Sequence, residues 1–308
     1  MLLCCSGAVA VVIMWALAGC APLADYDKLV AALPSPRIVE VDGQRVHVER
    51  WGDRGDPVIL IHGLGSSTYS FRELGPRLGR SRQVVAIDLN GFGFTERPEA
   101  EGAYALDGQL DLVVGTMDAL GIRRADVVGH SYGGYLAMRL AHEHPERARR
   151  LVLVSPALNM DVAPDSFIRS PVLRQMVYPG FRLLVSDRDR FGQLLSRAYH
   201  RQDLLTDELV GEYQRRILVE GLGRAYRGFG SSLDSLQKDR VELSDLRQKV
   251  LVVAGRHDRV VPVESIEIAL RDQPDHVRFE VLEHSGHSAP EEQPDLLGRR
   301  IERFFGGG

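Results

Sequence analysis

Ser131 stands in the run Val127-Val128-Gly129-His130-Ser131-Tyr132-Gly133-Gly134. An apolar strand there enters a G-x-S-x-G turn, and a helical pattern follows over Tyr135–His142. A sharp strand-to-helix turn holds a serine in a strained backbone conformation and lifts its hydroxyl clear of the sheet, within reach of a base and a substrate. Gly129 and Gly133 flank the turn because a Cβ at either place would collide with neighbouring backbone. A serine hydroxyl attacks poorly alone and needs a base within hydrogen-bond reach. His287 is the candidate base, in the flexible loop Ser285-Gly286-His287 after the apolar run Val277–Leu282. His284 is its nearest competitor. Asp258, after the run Val250–Ala254, is the acid expected to orient the imidazole and stabilise its cation, with Asp161 as the fallback. Attack on a carbonyl carbon creates an oxyanion, which a pair of backbone N–H groups would receive. One belongs to Tyr132, the residue after the nucleophile.

Other segments fall in an order that fits this chemistry. Val58-Ile59-Leu60-Ile61-His62-Gly63-Leu64-Gly65 is a buried-strand run ending in an HG-x-G loop. The run Val84–Ile87 leads into Asp88-Leu89-Asn90-Gly91-Phe92-Gly93. Together with the elbow, Asp258 and His287, these segments resemble the α/β-hydrolase superfamily, in the branch with an HG-x-G oxyanion loop and a helical cap. The resemblance spans about residues 38–305 and includes the chain order serine, acid, histidine. It implies that the second oxyanion donor is the backbone N–H of Leu64. It also implies that Asp88 and Gly91–Gly93 form the superfamily's D-x-P-G-x-G turn, with Asn90 replacing proline. That turn and His62 are read as structural. Haloalkane dehalogenases and epoxide hydrolases on this fold use an aspartate at the elbow, so Ser131 disfavours both.

The elements that must position these groups follow from periodicity. Ile38–Val41 and Arg45–Arg50, separated by Asp42-Gly43-Gln44, predict an antiparallel opening pair. From Val58 onward, short apolar runs alternate with helix-period segments near Ser70–Leu78, Leu106–Leu120 and after Ser131, the signature of parallel βαβ units. The alternation stops from about Leu158 to Leu236, where several helices are expected, resumes at Val250 and closes with a helix over Glu291–Phe305. The expected fold is α/β, a mostly parallel doubly wound sheet with an inserted helical cap. In open sheets of this kind the site lies at the carboxyl ends of the strands, where Ser131, the HG-x-G loop, Asp258 and His287 all fall. Cap residues Phe167, Ile168, Val172, Leu173, Met176, Val177, Tyr178, Phe181, Leu183 and Leu184 are apolar. Some of them must roof the pocket, and an apolar roof suits an acyl chain or an aromatic ester.

The N-terminus carries a separate signal. Residues 2–24 have no charged side chain, and the apolar segment Ala8–Ala18 runs into Leu17-Ala18-Gly19-Cys20. This tetrapeptide resembles a bacterial lipobox, in which cleavage before the cysteine is followed by its lipidation. The segment is short for a membrane span and suits a signal h-region, although no Lys or Arg precedes it. Of the three cysteines, Cys4, Cys5 and Cys20, cleavage leaves only Cys20, the expected lipidation site. The body from Ala21 onward has no thiol, which excludes a disulfide framework and a Cys-ligated metal. The domain reading is signal peptide 1–19, tether 20–36, hydrolase core 37–157 and 237–308, and helical cap 158–236. Localisation to a bacterial cell envelope through a lipid anchor is expected, or association through an uncleaved N-terminal segment.

Composition narrows the function further. The formal charge of −4 gives no electrostatic reason to expect nucleic acid. There is no HExxH, and Gly63-x-Gly65 lacks the third glycine and acidic partner of a dinucleotide site. No cofactor and no metal are expected. The primary expectation is a serine hydrolase cleaving carboxylic esters of moderately apolar small molecules through an acyl-enzyme. The alternative is a carbon–carbon bond hydrolase or a cofactor-free perhydrolase with the same triad. A non-catalytic binding module is disfavoured because no triad residue is missing.

Overall fold

The computed structural model of the chain describes residues 21–33, 37–158, 171–232 and 240–306. The lipobox with Cys20, the fallback acid Asp161, and Phe167 and Ile168 lie outside them. The elements run α1 (Tyr26–Ala31), β1 (Ile38–Val41), β2 (Gln44–Trp51), β3 (Pro57–Ile61), α2 (Leu74–Leu78), β4 (Gln83–Ile87), α3 (Leu106–Ala119), β5 (Ala125–His130), α4 (Tyr132–Glu143) and β6 (Ala148–Val154). They continue through the cap as α5 (Pro171–Ser186), α6 (Arg188–Leu195), α7 (Asp207–Ile217) and α8 (Leu222–Ser232). The chain returns to the sheet with β7 (Lys249–Gly255), α9 (Val263–Ala269), β8 (Val277–Leu282), α10 (Ala289–Glu292) and α11 (Pro294–Gly306).

One eight-stranded sheet results, in the order β1-β2-β4-β3-β5-β6-β7-β8. β3 to β8 pair in parallel, while β1–β2 and β2–β4 are antiparallel. The inner parallel strands carry apolar runs, such as Val58–Ile61, Val84–Ile87 and Val250–Ala254, because both of their faces are covered, whereas the edge strand β8 alternates and leaves Arg278 exposed. Ile59 and Ile61 of β3 join a core under α3, α4 and α9, whereas Val58 and Leu60 face a second core under α2 and α11. The opening hairpin turns on Asp42 (φ 49°) and Gly43 (φ 80°). Two successive positive φ angles match the twist of the flanking strands, which is why Asp-Gly sits there.

Two local departures from expectation have plain causes. The closing helix is interrupted at Gln293, because the residue before Pro294 is pushed out of the helical region. Part of the expected tether is docked rather than free. The Ala24 N–H donates to the Leu218 carbonyl (2.8 Å), the Glu220 N–H donates to the Ala24 carbonyl (3.0 Å), and Arg182 Nη2 donates to the Ala21 carbonyl (2.9 Å). Ala21 and Leu23 pack on the cap's own small core around Phe191, Tyr199 and Tyr213. Among the described residues, no helix is long and apolar enough to cross a membrane.

Candidate active site

β5 delivers the chain to Ser131, which adopts φ 53° and ψ −116° before α4 begins. Only three non-glycine residues among those described have positive φ, and Ser131 is the one between a strand and a helix. The flanking glycines are required by space. A Cβ on Gly129 would lie 2.2 Å from the Gly133 carbonyl oxygen, and one on Gly133 would lie 2.2 Å from that of Ile61.

His287 and Asp258 pair with each other, and His130, the residue before Ser131, contacts His287. His287 Nδ1 lies 2.8 Å from Asp258 Oδ2, with both residues buried. A carboxylate only accepts, so Nδ1 carries a proton, and in the neutral imidazole Nε2 is the nitrogen with the free lone pair. Asp258 Oδ1 accepts the N–H groups of Val260 and Val261, each at 2.8 Å. Burial works to raise the Asp258 carboxyl. The hydrogen bond and charge of His287, with those two N–H groups, outweigh it and hold the carboxyl below the usual carboxylate range. Asp258 is therefore an anion fixed for an imidazolium. His284 is exposed.

His130, to which the sequence reading gave no role, braces the same loop. Its Nε2 donates to the His287 carbonyl at 2.9 Å, and the two rings lie 4.8 Å apart. Burial, aided by the neighbouring His287, pushes the His130 imidazole down to about 3, so it stays neutral. The Gly129-His130-Ser131 triplet contained the signal, since a polar ring ending a wholly buried strand needs a partner.

The HG-x-G loop lies against the nucleophile: a Cβ on Gly63 would be 3.1 Å from Ser131 Cβ. Neither the Leu64 N–H nor the Tyr132 N–H donates to an acceptor among the described residues. The Leu64 side chain is 52% exposed, in keeping with a residue whose backbone alone matters. His62 is a structural brace. Its Nδ1 donates to the Gly63 carbonyl (2.8 Å), its Nε2 accepts the Leu89 N–H (3.0 Å), and burial lowers its pKa. Asp88 anchors the neighbouring turn, accepting from Thr68 N (2.6 Å), His47 Nδ1 (2.7 Å) and Phe94 N (2.8 Å). Asn90, where the superfamily pattern has proline, uses the N–H that proline lacks to donate to Gln109 Oε1 at 2.9 Å.

Tyr132, next to Ser131 in the chain, sits in an aromatic cluster. Phe229 from α8 meets Tyr132 edge-on at 5.6 Å and Phe92 at 6.1 Å, and Phe92 meets His62 at 5.6 Å. The apolar cap residues named from sequence did not include Phe229. Of those, Tyr178 and Phe181 pack on Tyr226 instead, within the cap.

A strained serine between strand and helix, with an Asp–His pair on the same edge of a parallel sheet, defines a hydrolase fold. The model of the alpha/beta hydrolase fold matches residues 56–294, and the chain belongs to that family. A 2-hydroxymuconate semialdehyde hydrolase of Pseudomonas sp. (strain CF600) is 32% identical over 242 residues, covering 76% of this chain and 81% of that protein. A 2-hydroxy-6-oxo-2,4-heptadienoate hydrolase of Pseudomonas putida (strain F1) is 30% identical over 259 residues, 82% of this chain and 89% of that one. Among solved structures, the meta-cleavage product hydrolase of Pseudomonas fluorescens IP01 superposes with a TM-score of 0.72. It is 28% identical and covers 88% of this chain and 97% of its own.

Proposed function

We propose that this chain is a serine hydrolase that cleaves an activated carbon–carbon bond in a 2-hydroxy-6-oxo-dienoate, the alternative rather than the primary expectation from sequence. The observation that carries the reading is the likeness to hydrolases named for such substrates, at 30–32% identity over three quarters or more of this chain. A carbon leaving group departs only if its electron pair has a sink. Moving the 2-hydroxyl proton to the conjugated carbon beside the 6-oxo group provides one. Ser131 Oγ, its proton taken by His287 Nε2, then adds to the 6-oxo carbon, aldehyde or ketone, and the Leu64 and Tyr132 N–H groups receive the oxyanion. Collapse breaks the carbon–carbon bond and sends its electrons to the 2-oxygen, which takes the proton back from His287. The acyl-serine that remains is hydrolysed by water, deprotonated by the same imidazole.

Ester cleavage uses the same groups and is the second reading, favoured by the aromatic cluster of Phe92, Phe229 and Tyr132 that adjoins the elbow through Tyr132. The discriminating experiment compares kcat/KM on 2-hydroxymuconate semialdehyde, followed by loss of its conjugated absorbance, with kcat/KM on p-nitrophenyl esters of graded chain length. The dienoate is expected to be preferred by about tenfold or more. Efficient ester turnover with an inert dienoate would return the function to the esterase reading.

Attachment to a membrane through lipid on Cys20 remains a proposal of the same kind. It rests on the uncharged segment ending in Leu17-Ala18-Gly19-Cys20 and on the absence of any later cysteine.

A further inference from the structure

We propose that Glu292 is a positioning residue for His287, and that it ties the catalytic loop to the cap so that the two move as one unit. The inference rests on His287 being the base, and not on which bond is cleaved. Glu291 and Glu292, on α10 just beyond His287, are both buried, at 5% and 2% exposure. Glu292 has no ion-pair partner among the described residues, and its charge is met by three backbone N–H groups. Oε1 accepts from Gly286 (2.8 Å), the residue before His287, while Oε2 accepts from His200 (2.7 Å) and Arg201 (2.8 Å) in the cap. One carboxylate thus spans the border between catalytic loop and cap.

The contact is reinforced from both sides. The Ala198 carbonyl accepts the N–H groups of His287 (2.8 Å) and Ser288 (3.0 Å). Glu291 Oε1 accepts the hydroxyls of Tyr199 (2.7 Å) and Tyr213 (2.6 Å), and its other oxygen pairs with Arg72. Burial raises both tyrosine pKa values, so the hydroxyls remain donors. No side chain fits between the two backbones, because a Cβ on Gly286 would lie 2.7 Å from the His200 nitrogen. The His200 ring also stacks on His257, the neighbour of Asp258, at 3.9 Å. Residues 198–201 of the cap therefore touch the loops of both the base and the acid. A shift of that segment withdraws the acceptor from the His287 N–H and moves the imidazole relative to Ser131. Contacts between substrate and cap would in this way set the base.

The test uses the full chain and a fluorophosphonate, whose capture by the serine is accelerated by its base. Labelling to completion counts the active sites, and the labelling rate reports on the base. Glu292→Gln keeps the shape but turns an amide N–H toward at least one donor. It is expected to slow labelling per active site by about ten- to a hundredfold. In an His287→Ala background it should cause no further slowing, because its effect passes through that imidazole. Should Glu292→Gln not fold, Glu292→Asp, which keeps the charge but shortens the reach, is expected to give an intermediate loss. Labelling of either variant within about twofold of the parent, or an equal loss with and without His287, would overturn the positioning role. A parent that does not label at all would overturn both this inference and the triad beneath it.

Discussion

Ser131 holds a backbone conformation that costs about 1–3 kcal/mol, and the surrounding packing must impose it. Gly129 and Gly133 let α4 close onto β3 and β5, and the Ser131 N–H donates to the Val154 carbonyl at 2.9 Å. If the nucleophile and base act as a unit, Ser131→Ala and His287→Ala should each lower kcat by about 10³-fold or more, with the double variant scarcely worse. Steady-state kinetics on any turned-over substrate checks this, and near-normal turnover by a folded Ser131→Ala protein would contradict it. The elbow glycines, His287 and Asp258 were legible in the sequence because turn chemistry and strand-end position are local signals. His130 and Glu292 were not. Their partners are the His287 carbonyl and cap N–H groups, brought near by folding across long stretches of chain.

At the level of elements, apolar runs disclosed the inner parallel strands because burial on both faces leaves few polar positions. Boundaries were less legible. β6 starts at Ala148 with polar Arg149 and Arg150, and Arg150 pairs with buried Asp126 of β5 at 2.7 Å. The loop after β4 depends on Asp88, held at about 2. Burial alone would raise this carboxyl, but the adjacent His47, His62 and the Phe94 N–H lower it further. An unfolded aspartate titrates near ~3.9, so between these values the unfolded chain binds more protons and stability falls as pH falls. Asp88 is expected to contribute on the order of 2 kcal/mol above about pH 4, lost progressively toward pH 2. Urea unfolding across that range should show the loss, and it should be absent in Asp88→Asn. That variant should also be less stable at neutral pH by about 3 kcal/mol, because His47 loses its partner. Equal acid sensitivity in parent and variant would assign the effect to other carboxylates.

For the whole molecule, the sequence read residues 20–36 as a tether and did not foresee that Ala21, Ala24 and Tyr26 contact the cap and body. A spacer and a docked segment have similar composition, and only contacts made on folding, such as the bridge of Ala24 to Val219, distinguish them. A chain beginning at Ala21 should retain the full thermal stability of the folded body. One beginning at Arg37 should lose the Ala21, Ala24 and Tyr26 contacts with the cap and body, lowering Tm by about 2–4 °C for each kcal/mol removed. Identical melting curves would show that the docked segment adds nothing. If Cys20 is lipidated, the intact mass of the mature protein should equal that of a chain beginning at Cys20 plus its acyl groups. Unmodified Cys20, or a different mature start, would remove the anchor and leave the hydrolase unaffected.

The proposed chemistry depends on Ser131 being a nucleophile made reactive by His287. The direct measurement is mass spectrometry of the full chain after reaction with a fluorophosphonate, with the adduct mapped by peptide. A single adduct on the peptide carrying Ser131 is predicted, absent in Ser131→Ala and greatly slowed in His287→Ala. An adduct on another residue, or labelling of Ser131 at an undiminished rate without His287, would contradict it.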